Sequence, residues 1–271
     1  MIITTTTRMN KYCIPRELIP YQCSNLIRLG RNYDGGYILN LEDIYNCEGL
    51  ISLGISYDWS FERDFSAHRN VPIFAYDGSV NLKKIWKHNL KNLLRVDRKD
   101  KLFEAWYSLF KLYCFFDGKK RVFNELFVGS NRQLGFIGFE QVIEKSEFKK
   151  FFLKMDIEGS EYALLEILSD FAPRTSGLCL EFHNVPENLD KIIDFIQNYP
   201  LSLVHTHINN CAPPAENGLP QLLELSFSGN QSKEELVNVL PNDLDMPNSP
   251  KLKLPIIEFK DQYFQEDSRV D

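Results

Sequence analysis

Residues 149–168 read KKFFLKMDIEGSEYALLEIL, and this stretch decides the fold. Residues 151–155 are apolar except for Lys154, which predicts a buried strand. Asp156 and Glu158 end the run, and the following residues have the apolar spacing of a helix that begins near Ser160. In an open parallel sheet, ligands bind beyond the carboxyl ends of the strands, so Asp156 and Glu158 are predicted at a ligand site. Acidic residues also cap helices, so a purely structural role for the two carboxylates stays open.

The composition is that of an ordinary globular protein. The chain has 271 residues, a formal net charge of −6 and six cysteines without a CxxC pair. This length suits one domain over residues 1–271, and the weak negative charge predicts no binding of nucleic acid. The scattered cysteines favour reduced thiols. Because no apolar stretch reaches the length of a membrane span and the first residues are no signal peptide, we expect a cytoplasmic protein without a transmembrane segment.

Three segments stand apart from the central region of this domain. Residues 1–48 predict a lead-in and a hairpin, residues 80–120 a helical insertion, and residues 229–271 an extended tail. Lysine and arginine crowd the first half of the insertion, and aromatic residues crowd its second half. Amphipathic helices with a solvated face explain this pattern, but so would a basic lid for an anionic substrate or a contact between protein copies.

A strand–glycine–helix–strand–aspartate unit follows the hairpin. Residues 49–54 and 72–76 predict two strands, the first ending at Gly54 and the second followed by Asp77. Nucleotide-binding units place a carboxylate at this second position, where it binds ribose hydroxyls. We therefore expect Asp77 to hold the ribose of a cofactor.

The turn after the first of these strands indicates which cofactor it is. Dinucleotide sites use G-x-G-x-x-G so that the backbone can approach a pyrophosphate. Here Ser56 and Tyr57 occupy the turn, and Tyr57 would crowd two phosphates. S-adenosylmethionine has an adenosine but no phosphate, so the sequence favours it over a nicotinamide or flavin dinucleotide. The expected contacts are Gly54, Ser56, Tyr57 and Asp77.

The hairpin predicted before this unit has two interpretations. Asp34-Gly35-Gly36 is a strong turn signal between the strands predicted at 26–30 and 37–39. It is either a plain hairpin or a turn that folds over the cofactor site. The second interpretation makes Gly36 a cofactor contact, since glycine lets the backbone approach a ligand closely.

Later strands carry further groups that could take part in chemistry. Residues 178–183 alternate as a strand, which places Glu181 and His183 on one face. Residues 201–208 predict another strand, which places His205 and His207 on one face. The ends of these strands could converge with Asp156 on one cleft.

The stretch FLKMDIEGSE at 152–161 resembles the signature of the FkbM-type methyltransferases, which are class I S-adenosylmethionine-dependent enzymes. DGGY at 34–37, SLGI at 52–55 and LEFH at 180–183 support this resemblance, which covers roughly residues 26–228. It implies an α/β, Rossmann-like, doubly wound sheet of seven mostly parallel strands, the last one antiparallel, with helices on both faces. It also implies methyl transfer, usually to a hydroxyl of a sugar, a glycan or a secondary metabolite. The glycine-rich first loop of the broad class is reduced here to Gly54.

A hydroxyl acceptor needs a base or a metal, because its pKa lies far above 7. We expect His183 to be the base, with Asp156 or Glu158 holding the substrate or the cofactor. A divalent cation such as Mg²⁺ is the second hypothesis, since carboxylates and imidazoles suit such ions. The candidate ligands are Asp156, Glu181, His183 and His207.

Two classes of function remain open. The first is an O-methyltransferase for a small-molecule or glycan acceptor, which could be anionic or nucleotide-linked, in a protein that could form homo-oligomers. The rival is a module for binding or assembly that keeps the fold without catalysis. Asp77 and the sequence DIEG at 156–159 favour the enzyme, because an inactive site is free to lose them. A nicotinamide enzyme is a third candidate, which the first loop disfavours.

Overall fold

The structure is a computed structural model that describes residues 11–56, 58–80, 110–112, 114–129 and 134–260. Its strands and α-helices, in chain order, are β1 (Lys11–Pro15), β2 (Leu26–Gly30), β3 (Gly36–Asn40), α1 (Leu41–Tyr45), β4 (Gly49–Leu53), α2 (Ser60–His68), β5 (Ile73–Tyr76), β6 (Arg121–Asn124), β7 (Phe127–Val128), β8 (Phe136–Ile137), α3 (Phe139–Ser146), β9 (Phe151–Met155), α4 (Leu165–Phe171), β10 (Thr175–His183), α5 (Val185–Asn198), β11 (Ser202–Asn209), β12 (Leu222–Ser228) and β13 (Ile256–Lys260).

The main sheet has seven strands in the order β11-β12-β10-β9-β4-β5-β6. Strands β10, β9, β4, β5 and β6 pair in parallel, whereas β12 is antiparallel to both of its neighbours. This confirms the predicted mostly parallel, Rossmann-like sheet with an antiparallel last strand. From β4 the chain first builds outward through β5 and β6, and then returns to build outward on the other side from β9. The strand order therefore reverses between β4 and β9.

The alternation of side chains along the strands divides the core into two layers. On β9, Phe151, Leu153 and Met155 pack on one face of the sheet, together with residues of α3, α4 and α5. Phe152 points to the opposite face and packs with residues of α1 and α2. Helices therefore cover both faces of the sheet, as a doubly wound fold requires.

The face of the sheet that packs with α1 and α2 is polar where the hairpin of β2 and β3 covers it. Strands β2 and β3 pair antiparallel, and β3 packs against β10, β11 and β12. The sheet residues beneath it include Glu181, His207 and Glu224, all of which are buried. Buried polar groups of this kind need hydrogen-bond partners, and most of those partners come from the hairpin and the tail.

Four segments differ from the pattern-based prediction or fall outside it. The sequence predicts one strand over residues 121–128, but these residues form β6 in the main sheet and then β7, which pairs with β8. The acidic turn leads into a 3₁₀ turn, Glu161–Ala163, before α4 begins. The lead-in contains β1, which pairs in parallel with β13 of the tail, and Ile257 and Phe259 of β13 pack against the core. The helical insertion lies mostly outside the described residues, although residues 110–112 are helical.

None of the helices in the described parts of the chain is both long and apolar enough to cross a bilayer.

Candidate functional site

A cavity of about 860 Å³ lies where the strand order reverses. It opens beyond the carboxyl ends of β4, β5, β9 and β10, which is the place where open α/β sheets bind ligands. Among the predicted site residues, Gly54, Ser56, Asp77, Asp156, Glu158, Glu181 and His183 line it. Residues that line it without having been predicted include Arg31, Asp34, Gly35, Tyr37, Asp58, Phe127, Phe136, Lys154 and Asn209.

Gly54 closes β4 in a conformation that requires glycine. Its φ is +74°, and a Cβ atom at this position would lie 1.6 Å from the carbonyl oxygen of Asp156. The Nζ atom of Lys154 donates a hydrogen bond to the Gly54 carbonyl oxygen at 2.7 Å. The glycine therefore has a structural cause, the close approach of the turn after β9, beside its predicted role as a cofactor contact.

Asp77 joins the loop after β4 to the loop after β5. Its Oδ2 accepts hydrogen bonds from the backbone N–H groups of Ile55 (3.1 Å) and Ser56 (2.7 Å). Its Oδ1 accepts from the backbone N–H and the hydroxyl of Ser79, at 2.8 and 2.6 Å. With the backbone N–H of Val80, 3.3 Å from Oδ1, five donors use the acceptor capacity of this carboxylate. Asp77 thus shapes this side of the cavity, and its contact with a ribose stays a prediction.

The hairpin turn lies at the mouth of the cavity. Arg31, Asp34 and Gly35 line the cavity, whereas Gly36 starts β3 and is not among its lining residues. Arg31 Nε lies 3.0 Å from Asp58 Oδ2, which connects the turn to the loop before α2. Of the two interpretations of the hairpin, this arrangement favours the one in which the turn covers the site, with Gly35 nearer to it than Gly36. Tyr57, the other predicted contact, lies outside the described residues.

Three of the predicted catalytic side chains meet at the acidic turn. One ligand atom each of Asp156, Glu158 and His183 lie within 4.8 Å of one another. Glu158 has a left-handed φ of +54° and extends into solvent with 88% of its side chain exposed. Its Oε2 lies 3.5 Å from Nε2 of His183, whose side chain is only 15% exposed. This group of three could take up a proton or hold a cation.

His183 is held from the other side by Glu161. Nδ1 of His183 lies 3.0 Å from Oε1 of this buried glutamate. Burial alone lowers the pKa of His183, but the hydrogen bond and charge of Glu161, with the charges of Asp156 and Glu158, outweigh it and raise the pKa. Glu161 therefore holds the imidazole ring of His183 in one orientation at the edge of the cavity and raises its pKa.

Tyr37 links Asp156 to Glu181 beneath the hairpin. Its hydroxyl lies 3.3 Å from Oδ2 of Asp156 and 3.3 Å from Oε2 of Glu181, and Asn209 donates to Oε1 of Glu181 at 3.1 Å. Burial, together with the charges of Glu224 and Asp156, raises the pKa of Glu181 well above its ordinary value. A phenol has one proton for two carboxyl groups, so a protonated Glu181 satisfies this arrangement.

The four candidate metal ligands do not lie at one site. Asp156 and His183 lie together, but Glu181 bonds with Tyr37, and His207 lies in a separate cluster under the tail. Both ring nitrogens of His207 are engaged, Nδ1 by Asp245 at 2.8 Å and Nε2 by Asn248 at 3.0 Å.

His205 belongs to the same cluster under the tail, with its Nε2 3.2 Å from Oδ1 of Asp245. The end of β11 therefore reaches the cavity as predicted, but neither His205 nor His207 is among the lining residues. Antiparallel β12 lies between β10 and β11, and Asn209 rather than a histidine reaches the cavity at the end of β11.

The charges of the described lining are mostly negative. Five carboxylates, together with the carboxyl group of Glu181 whose pKa is raised, face three basic side chains. The carboxyl groups are those of Asp34, Asp58, Asp77, Asp156, Glu158 and Glu181, and the basic groups are those of Arg31, Lys154 and His183. Such a lining favours a ligand that carries positive charge.

Sequence reasoning missed several side chains of this site. Lys154 is buried and is the only charged residue of strand β9. Because a lysine is rarely buried without a partner, its position in an apolar strand was a signal for such a partner. Tyr37 belongs to the quoted motif DGGY, but its contacts lie across the fold. Glu161 lies within residues 149–168, just after the predicted start of a helix near Ser160, and its contact with His183 lies on another strand.

Comparisons with known proteins extend to the fold only. No protein-family model matches the chain, so its relation to the FkbM-type enzymes stays a resemblance, and no curated protein matches it either. A precorrin-6y C5,15-methyltransferase from Geobacter metallireducens has a TM-score of 0.35 at 9% identity, over 69% of this chain and 84% of that chain. The methyltransferase domain of a bacterial Hen1 has a TM-score of 0.35 at 12% identity, over 70% and 100%.

The 16S rRNA methylase ArmA has a TM-score of 0.29 at 12% identity, over 70% of this chain and 78% of that chain. Likenesses of this strength carry no argument about function. The case for function therefore depends on the site itself.

Proposed function

We propose that this chain transfers a methyl group from S-adenosylmethionine to a hydroxyl of a sugar, a glycan or a secondary metabolite. One observation carries the proposal. At the point where the strand order reverses, a single cavity joins the loops around Gly54 and Asp77 with the group of Asp156, Glu158 and His183. The sequence predicts cofactor contacts in the first set and acceptor chemistry in the second.

The charge and size of the cavity support this cofactor. S-adenosylmethionine carries a positive sulfonium and a positive ammonium group, which suit a lining with an excess of carboxylates. The two phosphates of a dinucleotide would meet the same carboxylates unfavourably. The volume, about 860 Å³, lies at the upper end of the range for small-molecule sites, so an acceptor can lie beside the cofactor.

The chemistry needs a group that takes the acceptor proton. Methyl transfer is an in-line displacement, in which the cofactor supplies the reactive carbon and the protein aligns the nucleophile. Nε2 of His183 faces the cavity and is the base in this proposal, while Asp156 and Glu158 hold the acceptor or the cofactor. A general base of this kind contributes roughly 10²- to 10⁴-fold to a rate.

A divalent cation such as Mg²⁺ is a second role for the same group. Asp156, Glu158 and His183 lie close enough together to hold one ion, and their oxygen and imidazole donors suit Mg²⁺ or Mn²⁺. In that case His183 is a ligand rather than the base, and the cation lowers the pKa of the acceptor hydroxyl.

The described lining also bears on the acceptor. Carboxylates and the Asn209 amide line the cavity on the side of His183, and they suit neutral hydroxyl groups better than phosphates. We therefore place a neutral, hydroxyl-rich acceptor ahead of an anionic or nucleotide-linked one. The exclusion of nucleic acid, the homo-oligomer and the cytoplasmic location stay predictions.

Calorimetric titration with S-adenosylmethionine and S-adenosylhomocysteine, with and without Mg²⁺, tests the proposal. We expect micromolar binding that Asp77→Asn weakens at least tenfold, because this change removes the charge that holds the loop after β4. Asp170→Asn, at an exposed position, is the matched control and should bind as the wild type does. Absence of binding under every condition would reject the methyltransferase and favour the binding module. Binding that depends on Mg²⁺ would support the cation.

A further inference from the structure

Glu161 is a buried carboxylate behind the candidate base. It is fully buried in the 3₁₀ turn after the acidic turn. Its Oε1 faces Nδ1 of His183 at 3.0 Å and accepts from the backbone N–H groups of Ile157 (3.3 Å) and Gly159 (3.0 Å). Its Oε2 is buried without a hydrogen-bond partner among the described residues, so the polar contacts of this side chain converge on Oε1.

The contact with Glu161 determines what the imidazole of His183 can do. A neutral imidazole carries its proton on one nitrogen, and the partner of one nitrogen decides the state of the other. Because Oε1 of Glu161 already accepts from two backbone N–H groups, it meets His183 as an acceptor and favours the proton on Nδ1. Nε2 then keeps its lone pair, and this is the nitrogen that faces Glu158.

We propose that Glu161 is a positioning residue, which fixes the Nδ1–H tautomer and the orientation of His183 so that Nε2 offers its lone pair to the cavity. The lone pair can accept the proton of a hydroxyl or bind a cation, so the inference holds for both roles of His183. The catalytic purpose of this tautomer rests on the proposed function, whereas the existence of the tautomer does not.

The same carboxylate couples the acidic turn to the end of β10. Its bonds to the N–H groups of Ile157 and Gly159 enclose Glu158, whose φ of +54° is unusual for a residue other than glycine. From the other side, the Tyr162 hydroxyl donates to the carbonyl oxygen of His183 at 2.6 Å. The turn with Glu158 and the strand end with His183 are thus held in one arrangement.

Nitrogen-15 NMR of the imidazoles in the full chain, without ligand, tests the tautomer. The chain has five histidines, so the signals of His183 are assigned by their loss in His183→Gln. At a pH where His183 is neutral, we expect the Nδ1–H tautomer in the wild type. Glu161→Gln keeps an acceptor oxygen and should keep this tautomer, whereas Glu161→Ala should lose it. Glu166→Ala, at an exposed position of α4, is the control without change. An Nε2–H tautomer in the wild type, or an unchanged tautomer in Glu161→Ala, would overturn the proposal.

Steady-state kinetics separate positioning from a merely structural role. We expect kcat to fall roughly 10- to 100-fold in Glu161→Ala and less in Glu161→Gln, with KM for S-adenosylmethionine changed by less than about twofold. A loss of cofactor affinity as large as the loss of kcat would contradict positioning. If Glu161→Ala does not fold, the wild-type tautomer and the Glu161→Gln kinetics still decide. If the cofactor does not bind at all, the proposed function fails while the NMR result stands.

Discussion

Two histidine–carboxylate pairs lie on the same face of the main sheet, and they differ in what surrounds the second ring nitrogen. His183 pairs through Nδ1 with Glu161 at 3.0 Å, and His207 pairs through Nδ1 with Asp245 at 2.8 Å. Nε2 of His183 lies 3.5 Å from the exposed Glu158, and both residues line the cavity, whereas Nε2 of His207 is bonded to Asn248 at 3.0 Å. Both pairs therefore contain the same histidine–carboxylate contact. We call His183–Glu161 the open pair, because His183 lines the cavity, and His207–Asp245 the sealed pair, because both ring nitrogens of His207 are bonded within the protein.

Residues of the tail enclose the ring of His207. Asp245 and Asn248 belong to the segment between β12 and β13, and both are buried against β11. Burial alone lowers the pKa of His207, but the charge of Glu224 and the hydrogen bond of Asp245 raise it to about 9. A sealed, charged imidazole has no lone pair to offer and serves the fold. The comparison teaches that access to the second nitrogen, rather than pairing with a carboxylate, marks the candidate catalytic histidine.

The largest expected effect comes from making the same substitution in both pairs. His183→Gln should lower kcat roughly 10²- to 10⁴-fold, since it removes the base, and should lower the free energy of unfolding less than His207→Gln does, because His183 is less buried. His207→Gln should lower the free energy of unfolding and leave kcat within a few-fold of the wild type. Turnover assays and urea denaturation measure the two quantities. Full turnover in His183→Gln would remove the difference between the pairs.

The fold could be predicted from the sequence because its signals are local. The strand at 151–155 and the acidic turn show themselves in consecutive residues, and the structure has β9 at those bounds. The antiparallel last strand followed from the resemblance and is present as β12. By contrast, β1 was missed because its partner β13 lies at the other end of the chain. No local pattern specifies such a pairing.

The candidate site could be predicted only in part, for a related reason. Residues at strand ends, such as Asp156 and His183, were found because parallel strands end at one edge of a sheet. Alternation predicts the face on which His207 lies, but not that β12 separates its strand from β10. The bond between Tyr37 and Asp156 joins residues 119 positions apart, so it follows from the packing of the hairpin and not from any spacing.

The second effect concerns the sealed pair alone. Asp245→Asn keeps the shape of the side chain but removes the charge beside two buried histidines, His205 and His207. Breaking a buried pair in this way costs about 3 to 5 kcal/mol, so we expect a loss of that order in the free energy of unfolding. Asp243→Asn, which changes an exposed neighbour, is the matched control for urea denaturation. Equal stability of the two variants would show that the tail does not need this charge.

The smallest effect is a change of stability with pH, and its sign follows from the sealed pair. The pKa of His207 is about 9 in the folded chain and has an ordinary value of 6.5, so its contribution is complete below about pH 6.5 and lost as the pH rises to 9. Burial raises the pKa of Glu224 to about 7, and this contribution is also lost as the pH rises, but from about pH 4.5 to 7.

Between pH 6.5 and 9 we expect the free energy of unfolding to fall by up to about 3 kcal/mol, measured by urea denaturation. His207→Gln should abolish most of this slope, and His183→Gln should remove a smaller part of it, because the pKa of His183 is also raised but its ring is less buried. A wild-type curve that stays flat or rises over this range would mean that His207 is neutral, and the sealed pair would then differ from the open one in burial but not in charge.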